Sequence, residues 1–502
     1  AAPSFAGGLL TNTNQHVAFN RMMSREASIG IDGVYYNPAG VVFMGEGHHL
    51  AINWQLAFQT RTINNDYALF TNNVNNPITP RDFKGKAFAP VIPSFQYAYN
   101  KGKWSFQANF ALTGGGGKCT FDDGLGSFEK IVAETAIAAC QLAGAVDQVA
   151  GAYHVPAIFS SNQCFGTEGK YSYNSYMHGR QYYYGLSAGA AYKFSDNFSA
   201  FLGVRGVYAL TNYYGYVENI QVGQMPLYKV LNPAKESSAN IELSCDQSGV
   251  GFTPIIGVDY KTGRWNFSAK YEFKTRIRLK NKSVNQIPSI GNLPDNLRNA
   301  YIANGVPEAA ADAILSNPKI QGAMVALKTQ FDSKIDGAIG EYEDGKKIAG
   351  DIPAYLALGV GYSPVDAVRV NVGFHWFDDK NATSYNNRNK ELKRGTLEYN
   401  AGVEVDVNKK ITLSTGWQNT NYGLSDEYMD DKSFVVSSNS VAIGGVYHIN
   451  KKMDLNVAYF HTFYQHKKTS EKVQLTAEKS INYSSDYTRN NNVFAVGLDI
   501  NF

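Results

Sequence analysis

The segment from Asn492 to Phe502 alternates without a fault. Phe494, Val496, Leu498, Ile500 and Phe502 fall on one face, and Val493, Ala495, Gly497, Asp499 and Asn501, all small or polar, fall on the other. Alternation at two residues per repeat is imposed by a strand and cannot be produced by a helix. A strand greasy over one whole face and small or polar over the other suits a wall between lipid and a wet lumen. A terminal aromatic such as Phe502 is how bacterial outer-membrane barrels commonly finish, so this one segment predicts a fold class and a compartment.

The same pattern recurs along the chain. Leu50, Ile52, Trp54, Leu56 and Phe58 oppose Asn53, Gln55, Gln59 and Arg61; Val368 to Trp376 opposes Arg369, Asn371, Gly373 and His375; Leu397 to Val407 opposes Glu398, Asn400, Glu404 and Asp406. Turn residues mark six short connections, at 100–103, 195–197, 261–264, 363–366, 408–410 and 450–452. Each holds the Gly, Pro, Asn or Asp that tight turns require. Seven longer connections lie near 63–82, 121–169, 225–238, 284–345, 384–388, 425–433 and 469–486. Together they join fourteen strands, short on one side and long on the other, the asymmetry of a transmembrane antiparallel β-barrel with both termini periplasmic and the long loops extracellular.

Composition agrees. No run of about 18 or more apolar residues occurs, which excludes a helical membrane protein but not a barrel. The 33 tyrosines and 28 phenylalanines suit interfacial girdles, the 47 glycines suit a crowded lumen, and a net charge of +3 is too small to point to nucleic acid. The start, Ala1-Ala2-Pro3-Ser4-Phe5, has no basic or apolar leader and reads as a mature form without an N-terminal lipid anchor. The length of 502 residues then reads as one barrel (47–502) preceded by a segment (1–46) with no strand pattern. The mixed polar and apolar content of that segment fits a plug folded into the lumen. Ala-rich 127–152 and the stretches within 294–335 favour helix. Such helices either cap the barrel mouth or turn their apolar faces into an external groove for a greasy ligand.

Four cysteines, Cys119, Cys140, Cys164 and Cys245, permit two disulfides in an exported protein, with three connectivities open. Their spacing is too wide for zinc, and no metal or cofactor is expected. Gly185-Leu186-Ser187-Ala188-Gly189 matches a nucleophile elbow but lies inside an alternating strand, where its serine has no strained turn to activate it. Adjacent His48 and His49 face opposite ways and do not share a metal. Nothing argues for an enzyme.

Within the first segment stands Asp32-Gly33-Val34-Tyr35-Tyr36-Asn37-Pro38-Ala39-Gly40. This stretch resembles the end of the N-terminal hatch in the FadL/TodX family of outer-membrane channels for hydrophobic compounds, and the strand count, helical loops and terminal Phe agree with that family. The resemblance implies passive uptake of long-chain fatty acids or similar molecules. Capture would be in an external groove, followed by a lumen pocket, movement of a hatch carrying Asn37, Pro38, Ala39 and Gly40, and sideways exit at a kink in the third strand. Gly114, Gly115, Gly116 and Gly117 are the candidates for that kink, since four glycines weaken a ladder. Lys270, Lys274, Arg276 and Arg278, with Lys280, are placed on one inward face and offered as the anchor for an anionic head group. The partners implied are a hydrophobic small molecule, lipid or detergent, the outer membrane and its lipopolysaccharide. The alternative is a barrel of this type that transports nothing and serves as a structural part of an outer-membrane secretion or assembly complex, with outer-membrane protein partners.

Overall fold

The computed structural model describes residues 11–288, 290–475 and 479–502. The chain start and part of the connection at 469–486 lie outside them. Fourteen antiparallel strands close into a barrel. They are β1 (Gly47–Tyr67), β2 (Arg81–Lys101), β3 (Trp104–Phe121), β4 (Tyr171–Lys193), β5 (Phe198–Val222), β6 (Ile241–Thr262), β7 (Trp265–Glu272, resuming at Arg278–Ser283), β8 (Tyr355–Val365, preceded by Lys347–Ala349), β9 (Val368–Phe377), β10 (Thr396–Asn408), β11 (Ile411–Asn421), β12 (Ser438–Asn450), β13 (Met453–Tyr464, continued by Lys467–Gln474) and β14 (Ser480–Asn501). Closure is made by β1 on β14, in register from His49–Asn501 to Tyr67–Tyr483.

The six tight turns fall where their residues predict, at one end of the barrel. The other end differs from expectation. Strands β1 to β6 and β14 run 18 to 25 residues, about twice the need of a bilayer. They form a tall wall, whereas β9 to β12 stop at 10 to 13 residues. The connection expected at 469–486 is largely hairpin, because Lys467–Gln474 pairs with β14.

The outer face carries the apolar residues; Leu186, Leu202 and Phe252 are more than 60% exposed. On β4 the outward series runs from Tyr192 to Tyr182, about ten residues, which at roughly 3.3 Å each and a tilt of roughly 40° spans about 25 Å, the height of a hydrocarbon band between two aromatic girdles. Trp104 packs on Tyr192 at one girdle, and Tyr182 and Tyr184 stack at the other.

Two long connections at the tall end are helical, as their alanine content predicts: α3 (Gly126–Gly151) after β3, and α5 (Leu293–Ala303), α6 (Glu308–Leu315) and α7 (Pro318–Ile339) after β7, with the single turn α4 (Tyr228–Leu231) between them in sequence. Buried Glu129 ties α3 to the wall through an ion pair with Arg81 and hydrogen bonds from Asn73, Tyr171 and Tyr173.

Residues 11–46, with short helices α1 (Val17–Met22) and α2 (Gly33–Tyr36), meet the inward faces of strands all around the ring. The turns of this segment lie against bare wall. Gly402 and Gly416, paired across β10 and β11, sit under the Met22 carbonyl, where a Cβ on either would collide with it. Opposite charges hold the same flank. Glu26 accepts from His375 at 2.7 Å, His375 bonds Glu398 at 2.8 Å, and Arg21 pairs with Glu404. Gly402→Val or Gly416→Val is expected to destabilise the barrel by about 1–3 kcal/mol, the usual cost of overpacking. Gly206→Val, at an outward position with only Phe252 and the Leu186 carbonyl near it, should change little. Denaturant unfolding in detergent micelles reads both.

Candidate functional site

Three features share one side of the barrel. The first is a cleft at the tall end, with about 840 Å³ of atom-free space including its mouth. Phe128, Ile131 and Val132 of α3 face Phe331, Ile335 and Ile339 of α7, and Met177, Tyr213, Val217 and Leu243 of the wall form its floor. Its lining is almost wholly apolar apart from Lys334, which bonds Glu134, and Lys432.

The floor continues inward as one apolar cluster containing Met177, Tyr213, Cys119, Phe121, Phe434 and Ile63. Beside it lies the second feature. Arg61 and Arg489 stand directly opposite each other on β1 and β14, both facing inward, at 2% and 6% exposure. Among the described residues no carboxylate lies within ion-pair distance of either. Arg489 donates to Gln59 at 3.1 Å, while Arg61 Nε and Nη2 and Arg489 Nε have no partner. Phe434, brought in by the β11–β12 connection, stacks over both guanidiniums at 5.7 and 5.8 Å, and Tyr464 lies 5.6 Å from that of Arg489. Burying one cation is costly, and burying two side by side more so, unless an anion joins them.

The third feature is a break in the wall. Strands β2 and β3 pair from the turn as far as Ser94–Ala111, then not again until Phe88–Lys118. On β2 the unpaired stretch is Ala89-Pro90-Val91-Ile92-Pro93, and prolines have no N–H to give a ladder. On β3 it is Leu112 to Gly117, with bulges against β4 on both sides of Gly114 and Gly115. Gly115 has φ +73°, and a Cβ there would strike the Gln181 carbonyl. The freed carbonyls are taken by the first segment: Asn12 N donates to Thr113 O at 2.9 Å and Asn12 Nδ2 to Gly115 O at 3.0 Å. Ala89, Ile92 and Leu112 pack in one cluster with Phe19, Met23, Tyr35 and Tyr36 of that segment.

Among solved structures, a FadL homologue from Pseudomonas aeruginosa matches with a TM-score of 0.60 at 14% identity, over 99% of this chain and 100% of that one. The TodX deltaS2S3 mutant monoaromatic hydrocarbon channel matches at 0.54 and 13% identity, over 97% and 98%. The Pseudomonas putida toluene transporter TodX matches at 0.51 and 13%, over 99% and 100%. The chain has the FadL-type barrel fold. The sequence itself matches no protein-family model and none of the curated proteins. Identity at this level carries the fold and nothing finer.

Within this FadL-type barrel the basic residues of β7 do not form a ladder on one face. Lys270 points inward and is already paired with Glu272, which also binds Arg205. Between Glu272 and Arg278 the strand leaves the ladder: Ile255 pairs with Glu272, and pairing resumes at Ser248–Lys280, with one more residue on β7 than on β6. That extra residue reverses the parity, so Ile277 and Leu279 turn inward and Arg276, Arg278 and Lys280 turn out. Lys274 is half-buried and bonds the Asn381 carbonyl. Pro254 stands in β6 opposite this interruption.

The four cysteines are thiols, not disulfides. Cys119 and Cys245 are buried on β3 and β6, three strands apart. Cys140 on α3 and Cys164 in the next loop are also buried, and Cys140 Sγ rests on the Phe165 carbonyl at 3.5 Å. Burial pushes both of these loop thiols up, so neither is a ready nucleophile. Asn37, Pro38, Ala39 and Gly40 form a turn fixed to the wall. Asn37 Nδ2 donates to Asp259 at 2.6 Å, Gln107 to Pro38 O at 2.7 Å and Ser199 to Ala39 O at 2.7 Å. The segment's hydrogen bonds to the break come from Asn12, not from this turn.

Removing one of two adjacent buried cations relieves repulsion. Arg61→Met or Arg489→Met is therefore expected to leave the barrel as stable or more stable by about 1–4 kcal/mol. Denaturant unfolding in detergent micelles checks this.

The connection that carries Phe434 is itself titratable. Asp431 accepts from Ser127 N at 2.7 Å, capping the start of α3, and from the Tyr487 hydroxyl at 3.0 Å. Burial, with Asp430 beside it, pushes its carboxyl up to about 6, and burial pushes Glu341 up to about 7. A raised carboxyl favours the folded state in its protonated form, so docking is strongest below the ordinary carboxylate range and weakens as pH rises through 6 to 7. Amide protection factors across 425–437 should fall between pH 5 and pH 8, and Asp431→Asn should remove most of that fall.

Proposed function

We propose that this barrel is an outer-membrane channel for passive uptake of hydrophobic small molecules with an anionic head, of which long-chain fatty acids are the model. The tall, helical end faces out and the turns and termini face the periplasm. The observation that carries this reading is the uncompensated Arg61–Arg489 pair, buried on the same side of the barrel as the apolar cleft between α3 and α7 and the break between β2 and β3.

Each part has a physical task. The cleft gathers a chain from the outer surface, where each buried methylene contributes about 0.8 kcal/mol. The arginine pair then offers two planar donor sets to a carboxylate, which removes the cost of burying them. The ligand's arrival competes for the space of Phe434, Phe19 and Tyr36. Displacement of the segment around Asn12 and Gln15 bares the carbonyls of β3 and the gap beside them. An apolar molecule leaves there into the bilayer, below the charged surface that bars its direct entry. Residues 11–46 act as the plug, anchored by Asn37–Gly40 and by the Glu26–His375–Glu398 network and yielding at the Asn12 end. The flow is downhill and uses no nucleotide. The named relatives, a toluene transporter and a monoaromatic hydrocarbon channel, support apolar cargo; the buried arginines favour an acid over a plain hydrocarbon.

The gap itself gives the test. A Cβ on Gly117 would lie 3.3 Å from that of Ala89, within reach of a disulfide. Ala89→Cys with Gly117→Cys, in a Cys119→Ser background, is expected to reduce uptake of labelled oleate by cells at least tenfold when oxidised and to restore it on reduction. Unchanged uptake through a fully crosslinked protein would overturn the lateral route.

A further inference from the structure

The outer face of the tall wall carries a second set of cations that the uptake route does not use. Lys118 on β3 and Arg180 on β4 are directly opposite each other, and Lys86 on β2 is one diagonal step away, opposite Thr120. All three are exposed, and none makes an ion pair among the described residues. Of the acids along this wall, Asp82 pairs with Lys84, Asp246 is held by Asn212 and Glu242 by the Tyr214 hydroxyl. The height of the cluster is set by its neighbours. Phe88, outward and 53% exposed, stands opposite Lys118, and Tyr182, of the upper girdle, lies two residues below Arg180 with its ring 6.0 Å from the guanidinium. Positive charge just beyond an aromatic girdle lies at the level of lipid phosphates.

Directly above is a platform of rings. Tyr176 stacks on Tyr216 at 5.8 Å, and His178 packs on Tyr214 at 5.7 Å, all four on the outer face and half-exposed. A wall that rises past the hydrocarbon band needs no aromatic surface to meet water. Flat rings with hydroxyl edges suit the faces and hydroxyls of sugars.

We propose that Lys86, Lys118 and Arg180 bind the phosphate of a phosphorylated glycolipid of the outer leaflet, with Tyr176, Tyr214 and Tyr216 against its first sugars. The site lies immediately above the break between β2 and β3, so the bound lipid roofs the exit and its acyl chains line the path an emerging ligand takes. The inference rests on the outward orientation of the tall end given above.

The test uses the full-length protein in detergent, titrated with bisphosphorylated lipid A and, separately, with its dephosphorylated form, and read by native mass spectrometry. The wild type is expected to hold the phosphorylated lipid at least tenfold better than the dephosphorylated one. Lys86→Gln, Lys118→Gln and Arg180→Gln together should abolish that preference. Tyr176→Ser with Tyr214→Ser should weaken binding of lipid carrying core sugars and leave lipid A unchanged. Equal retention of both lipids by the wild type, or an undiminished preference in the triple variant, would overturn the proposal. Because the readout is lipid binding and not uptake, loss of oleate transport with glycolipid binding intact would sink the channel reading alone.

Discussion

Closure of β1 on β14 is the constraint from which the rest follows. In a bilayer every backbone donor and acceptor needs a partner, and a closed ladder supplies them all. A closed ladder also leaves no edge and no door. Any sideways passage must therefore be a local failure of pairing whose freed groups are satisfied by something that can leave. The break between β2 and β3 has that form. Pro90 and Pro93 remove donors on one side, the bulged glycines turn their carbonyls away on the other, and Asn12 of a separate segment supplies the missing bonds. The interruption between β6 and β7 shows the contrast. There Thr275 and Ile352 exchange both backbone hydrogen bonds, and Ile277 N finds Asp351, so the seam is sewn by the wall itself.

The same closure explains the arginine pair. Arg61 and Arg489 come from the two ends of the chain and meet only because the first and last strands pair. Elsewhere in the lumen, charge is balanced by segment 11–46: Arg25 by Asp32, Arg21 by Glu404, and His375 by Glu26. That segment lies near the turn end of the barrel, and none of its described acids pairs with Arg61 or Arg489. An uncompensated pair at the edge of a filled lumen is a different object from a compensated network within it. Two cations without a counter-ion point to a ligand, whereas a satisfied network holds a structure together.

Much of the fold was legible because strand alternation is local. The six tight turns, the fourteen strands, the helices of α3 and α5 to α7 and the weak point at Gly114–Gly117 all show in short windows of sequence. What escaped depends on register. The inward ladder from Lys270 to Lys280 follows from perfect alternation, and one extra residue in β7 reversed it; Pro254 in the facing strand was the available signal. Pro90 and Pro93 likewise mark the partner of the glycine run and give the break a cause on both strands. Arg61 reads in isolation as one more polar lumen residue, since no window contains Arg489. The cysteines mislead for a related reason. An even count permits pairing, yet Cys119 and Cys245 stand on strands three apart, and Cys140 and Cys164 are buried as small apolar groups, a common fate of free cysteine.

The asymmetry of the barrel ties these parts together. The strands from β1 to β6, with β14, rise well past the hydrocarbon band, and the cleft, the arginine pair and the break all lie on them. A wall of that height can hold α3 against its inner face through Glu129 and Arg81, and present a cationic and aromatic surface on its outer face at the same strands. Inner and outer faces alternate residue by residue, so the tall wall presents two surfaces at once: Cys119 and Gln181 face the interior while Lys118 and Arg180 face outward. The break lies between those two faces, where unpaired backbone and the side chains of segment 11–46 separate an apolar interior from the apolar outer face.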